Sequence, residues 1–149
     1  LMAQSSQSVE PPQKPGRFRC KWSSFSLGDV QQAAKSGDDD FLVLRPLVLL
    51  ETNLDELTER LRRVIAALVP SLGTVASSKF LHFSAPTLFP MWDRAIRRAR
   101  GHPDTVDGYL EYMRGFKDEL MQECNLSRAL AQYPSNAVRG WDIANMRAR

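Results

Sequence analysis

Cysteine is scarce in this sequence: Cys20 and Cys124 are the only two. They stand far apart, with neither the paired spacing of a zinc ligand set nor the even, dense pattern of a disulfide scaffold. Both read as reduced, structurally incidental thiols, and no metal or cofactor is expected. Histidine is equally scarce, with only His82 and His102. A His-based triad has few candidates, and no recognisable nucleophile motif places either residue. Long apolar runs are missing too: Phe41 to Leu50 is broken by Arg45 and Pro46 and falls far short of the ~20 residues that span a bilayer. No membrane anchor is expected. Residues 1–16 hold no apolar stretch of the kind a secretory signal needs, so a cytoplasmic protein is expected. An excess of one charge is also absent, since 20 Lys and Arg against 17 Asp and Glu leave a net +3. A balance this even excludes no partner; only the distribution of the charges can speak for nucleic acid.

What remains is a chain of 149 residues, 43% hydrophobic, enough for one core. The pattern predicts a disordered tail over 1–16 and a helical domain over 17–149. In the tail Ser, Gln and Pro offer too little apolar surface to offset the entropy of ordering. Phe18, Trp22 and Phe25 alternate with Arg17, Arg19 and Lys21 in a stretch suited to packing or to an anionic partner. Ser26 and Asp29 can cap a short helix through Lys35, and the run at 36–40 reads as a loop whose Asp38, Asp39 and Asp40 are solvated rather than metal-binding. Phe41 to Leu50 suits helix or extended packing.

The clearest helix follows. Asn53 and Glu56 make a capping-box-like start, and Leu54, Leu57, Leu61, Val64, Ile65 and Leu68 recur at helical spacing. The segment 69–73 should end it in a tight turn, after which Val75, Ala76, Lys79, Phe80 and Phe83 resume a helical period. Pro86 and Pro90 bracket a rigid connection to a helix over Met91–Arg100. A long helix capped by Asp104 or Thr105 should bury Val106, Tyr109, Leu110, Met113, Phe116, Leu120 and Cys124, with Asn125 as its terminator. Two shorter helices, Leu126–Gln132 and about Asn136–Met146, complete an all-α, single compact multi-helix domain. Its expected core contains Leu57, Leu61, Val64, Leu68, Phe80, Ile96, Leu110, Phe116 and Trp141.

One constellation carries possible chemistry. Leu68, Pro70, Leu72 and Gly73 precede a helix, and Phe89, Pro90 and Asp93 follow it. Over residues 68–98 this order resembles, distantly, the helix-hairpin-helix DNA glycosylases, whose hairpin holds a phosphate through glycine amides at a helix N-terminus. The resemblance implies a helix-hairpin-helix-like element and a catalytic role for Asp93. It departs from the family in having one glycine in the hairpin and Val75 where bifunctional members carry lysine, which leaves only a lysine-independent enzyme. The segment Lys79–Asp93 also resembles uncharacterised bacterial proteins with a Lys-x-Leu-His-Phe, Pro-x-x-Phe-Pro-x-x-Asp pattern, which brings no activity with it. Asp93 near the start of a helix also complements the helix dipole without any chemistry. His82, between Leu81 and Phe83, reads as a satisfied helix histidine or as a base, and Trp92 as core or as a stacking platform.

Three readings follow. In the first, a non-catalytic domain contacts DNA through Gly73, Thr74, Lys79, Arg94, Arg97 and Arg98, in a basic middle segment that also holds Arg60, Arg62, Arg63 and Arg100. In the second, Asp93 serves a glycosylase-like enzyme. In the third, aromatic and Met-bearing helices form a protein-interaction or self-association module, as partner surface or homo-oligomer. A carboxylate of Asp93 turned back onto its own helix would favour the third.

Overall fold

In the computed structural model of the chain, residues 38–147 are described. The expectations for the tail at 1–16, for Cys20, for the aromatic and basic stretch at 17–25 and for the short helix to Lys35 lie outside them. Among the described residues the fold is all-α, with seven helices and no strand: α1 (Asp38–Leu44), α2 (Thr58–Leu72), α3 (Thr74–Ser84), α4 (Arg94–Arg100), α5 (Val106–Leu120), α6 (Glu123–Gln132) and α7 (Ala137–Arg147). No helix among them is long and apolar enough to cross a membrane. α2 packs against α1, α3 and α5, and α5 in turn meets α3, α6 and α7.

The core is the one that helical periodicity demands of α2 and α5. Leu61, Val64, Ile65 and Leu68 of α2 face Leu110, Met113, Phe116 and Leu120 of α5, all buried in one cluster with Ile96 and Trp141. Leu57 and Phe80, expected inside, are only partly buried against it. Thr105 caps α5, its hydroxyl accepting from the Gly108 amide at 3.0 Å, which satisfies one of the amides a helix start leaves open.

Several boundaries differ from the expectation. The acidic run is the first turn of α1 rather than a loop, where carboxylates oppose the positive end of the dipole. Asp40 is also bound by Arg60 at 3.0 Å and by Arg63 at 2.7 Å. Asn53 does not cap a helix: its amide donates to the Glu56 carboxylate at 2.7 Å, and α2 begins only at Thr58. α2 then runs on through Pro70 to Leu72. Pro70 and Ala66, the residue whose carbonyl it cannot bond, are both exposed, so the missing helical bond falls on the outer face of the helix. Gly73 alone separates α2 from α3, at φ 74° and ψ 163°, a backbone region that side chains disfavour.

The long helix expected to reach Cys124 stops at Leu120. Asn125 does terminate it, but from inside α6, by donating to the carbonyl of Glu119 at 2.8 Å. Cys124 is exposed as a consequence. α6 and α7 then lie close enough that a Cβ on Gly140 would meet the Ala129 carbonyl oxygen at 2.0 Å. Only glycine fits that crossing.

Candidate functional site

The segment Phe89–Trp92 is buried, apart from the half-buried Met91, yet not helical. Pro90 lacks an amide hydrogen and turns the residue before it away from helix. A buried backbone without helix or sheet partners must find hydrogen bonds elsewhere, and here they come from the side chains of three helices. From α3, His82 Nδ1 donates to the Phe89 carbonyl at 2.8 Å and Ser78 Oγ to the Trp92 carbonyl at 2.9 Å. From α5, the hydroxyl of Tyr109 donates to the Pro90 carbonyl at 2.8 Å and that of Tyr112 to the Met91 carbonyl at 3.1 Å. From α7, Asp142 Oδ2 accepts from the Met91 amide at 3.1 Å. Trp92 completes the clamp by stacking on Tyr109 at 5.1 Å and Tyr112 at 5.9 Å between ring centroids.

This arrangement reverses the face expected of α3. The side chains it buries are Thr74, Ser77, Ser78, Leu81 and His82, not the row through Val75, Ala76, Phe80 and Phe83, and Phe83 is 72% exposed. The two serine hydroxyls are tolerated inside because each has an acceptor. Ser77 donates to the Gly73 carbonyl at 2.8 Å, and Ser78 reaches Val75 as well as Trp92.

The donor and acceptor pattern fixes the state of His82. A carbonyl only accepts, so Nδ1 carries the hydrogen that meets Phe89; a guanidinium only donates, so Nε2 offers its lone pair to Arg139 Nη1 at 3.0 Å. The imidazole is therefore neutral. Burial, and then the nearby Arg139 charge, hold its pKa below the ordinary histidine value against the opposing pull of the Phe89 carbonyl. Asp142 lies 3.7 Å from Nδ1, too far for a hydrogen bond from a hydrogen already directed at Phe89. Burial pushes its carboxyl up to about 7, against the pull of the Met91 amide and Arg139. The Tyr109 phenol is pushed well above its usual value, mainly by burial.

Asp93, the expected catalytic carboxylate, is the N-cap of α4 and accepts from the Ile96 amide at 2.6 Å. The Gly73 amide, expected to meet a phosphate, donates to the Val69 carbonyl at 2.8 Å, and Thr74 is buried. Lys79, Arg94 and Arg98 are exposed. Arg97 is turned inward, with Nη2 3.6 Å from Asp104 and its buried Nε without a hydrogen-bond partner. Most other cations of the basic middle face carboxylates of the chain itself: Arg60 and Arg63 meet Asp40, Arg62 meets Glu59 and Asp107, and Arg100 meets Glu119.

Sequence reasoning did not find Asp142, Arg139, Ser78 or the two tyrosine hydroxyls. One signal was present. Asp142 follows Trp141, on the row of α7 that also carries Val138, and a carboxylate on an apolar helix face needs a partner. Among the described residues, no group of three or more His, Cys, Asp or Glu is placed to hold a metal ion.

No curated protein and no solved structure matches the chain. Residues 46–149 do match a protein family, a span that begins just after α1 and contains every member of the clamp. The chain belongs to that family, a family of unknown function designated DUF6308.

Proposed function

We propose that the protein is a non-catalytic helical interaction module whose contact face is α6. The observation that carries this reading is the exposure of that helix: Ala129 is its one fully buried residue. Leu126, one turn before Leu130, is partly buried, and Leu130 and the capping Tyr133 stand 39% and 43% exposed. An amphipathic helix whose apolar row is only partly covered has surface to bury against another protein. The absence of a catalytic role accords with the clamp, whose His82, Asp142, Ser78 and tyrosines are all engaged with backbone, and with the capping bond of Asp93.

Sedimentation of the parent and of a Leu130→Glu, Tyr133→Ser variant tests the reading for a second copy of the chain as partner. Concentration-dependent association by the parent, lost in the variant while circular dichroism is unchanged, is the expected result. A parent that stays monomeric at ~100 µM, at which complexes as weak as ~5.5 kcal/mol still form in part, removes self-association.

A second reading, contact with nucleic acid, is favoured by one observation: Lys79, Arg94 and Arg98 are exposed, and no ion pair engages them among the described residues. Arg94 and Arg98 are one helical turn apart, so both face the same side of α4. Duplex binding measured across a salt series decides it, because three phosphate contacts give a log-log slope of about −2.7. No binding at ~50 mM salt rejects this reading.

A further inference from the structure

α7 is tied to the Phe89–Trp92 connector directly through Asp142 and, by way of His82 on α3, through Arg139; His82 and Asp142 have opposite proton preferences. Asp142 reaches the Met91 amide, and Arg139, nearly one turn earlier, reaches His82 of α3. Tyr112 of α5, which donates to the Met91 carbonyl, is one titratable group beside them. α3 contributes His82, α5 contributes Tyr109, already donating to Pro90, and α7 contributes Arg139. The connector itself contributes no charged side chain between Phe89 and Trp92. On α6, Arg128 lies over the Trp141 ring, 5.6 Å from its centroid.

The seated geometry excludes a proton from His82 Nε2, because that lone pair receives Arg139. It also leaves the buried Asp142 carboxyl, among the described residues, with one hydrogen-bond donor, the neutral Met91 amide, which is poor compensation for a full negative charge. Releasing α7 to water reverses both preferences. The carboxyl then ionises at its ordinary value, and the imidazole, freed from the guanidinium, accepts a proton below neutrality.

We propose that His82 and Asp142 form a compensating pair, holding one proton on the carboxyl when α7 is seated and on the imidazole when it is released, so that seating is nearly independent of pH between about 5 and 8. Near pH 5 the exchange balances, one proton leaving oxygen as one arrives on nitrogen; toward pH 8 both groups are deprotonated in either state, so little net uptake remains at either end. This goes beyond a role for α6 as a contact face and does not depend on it.

The two halves have opposite signs. A carboxyl at about 7 when seated and 3.8 when released makes seating stronger in acid, with the gain spread between those values and lost as pH rises to 7. From pH 8 to 5 that half alone strengthens seating by about 100-fold. An imidazole held below 6.5 when seated makes seating weaker in acid, by up to about 30-fold over the same interval. Together they leave a change of a few-fold.

Amide hydrogen exchange of the full chain, followed by mass spectrometry on peptides from α7 and corrected for intrinsic rates, reads this directly. The parent should vary a few-fold between pH 5 and 8. His82→Asn, which keeps a donor for Phe89, should become about 100-fold more protected toward pH 5, and Asp142→Asn up to about 30-fold less protected. Two variants that slope the same way, or two flat variants, overturn the proposal. If a variant does not fold, nitrogen chemical shifts of the parent's His82 decide: a neutral ring with hydrogen on Nδ1 down to pH 5 supports the pair, and an imidazolium at pH 6 overturns it.

Discussion

Replacing Tyr109 by Phe isolates one bond of the connector clamp. Tyr109 is fully buried, its hydroxyl donates to the Pro90 carbonyl at 2.8 Å, and its ring stacks on Trp92 at 5.1 Å. Removing the oxygen keeps the ring, so the stacking and nearly all of the buried apolar area survive and only a very small void is left. The loss is then that of the hydrogen bond plus the desolvation of a carbonyl with no new partner, about 1 to 3 kcal/mol. The carbonyl belongs to Pro90, whose missing amide hydrogen prevents the segment from joining a neighbouring helix to recover the bond. With a urea m-value of about 2 kcal/mol/M, the midpoint should fall by roughly 0.5 to 1.5 M with the slope unchanged. Tyr112→Phe, whose bond to Met91 is longer and only partly buried, should cost less. Equilibrium unfolding by urea, followed by circular dichroism at 222 nm, measures both. A Tyr109→Phe midpoint equal to that of the parent refutes the view that these side chains hold the connector.

Two further outcomes follow from the same geometry. Gly140→Ala should destabilise the protein in the same assay despite a helix-propensity gain of about 1 kcal/mol, because the new Cβ meets the Ala129 backbone carbonyl rather than a yielding side chain; a stabilised variant would show that α6 and α7 do not cross there. Asp93→Asn should be nearly neutral in thermal unfolding, since asparagine caps as well as aspartate, whereas Asp93→Ala should cost about 0.5 to 2 kcal/mol; an Asn variant as unstable as the Ala one would mean that the carboxylate charge does more than cap α4.

The helices of this protein are written in its local pattern. Leu61, Val64, Ile65 and Leu68, or Tyr109, Leu110, Met113 and Phe116, recur at 3.6-residue spacing, and burying such a row against another needs no information beyond the sequence. Caps are equally local, so the roles of Thr105 and of Asp93 at a helix start could be read within four residues. α3 could not be read this way. Its sequence offers one apolar row through Val75, Phe80 and Phe83 and one polar row through Ser77, Ser78 and His82, and hydrophobicity alone turns the wrong one inward. The polar row is inside because Pro90, more than a turn beyond the end of α3, leaves a stretch of backbone that must be buried without helical bonds, and His82 and Ser78 are placed to satisfy it. Asp142 was hidden for the same reason: its partner is an amide at Met91, far away along the chain. Periodicity determined which segments coil and which of their apolar residues meet. Only the tertiary structure decided which polar groups go inside, because the cost of burying them depends on acceptors and donors that no neighbouring residue supplies.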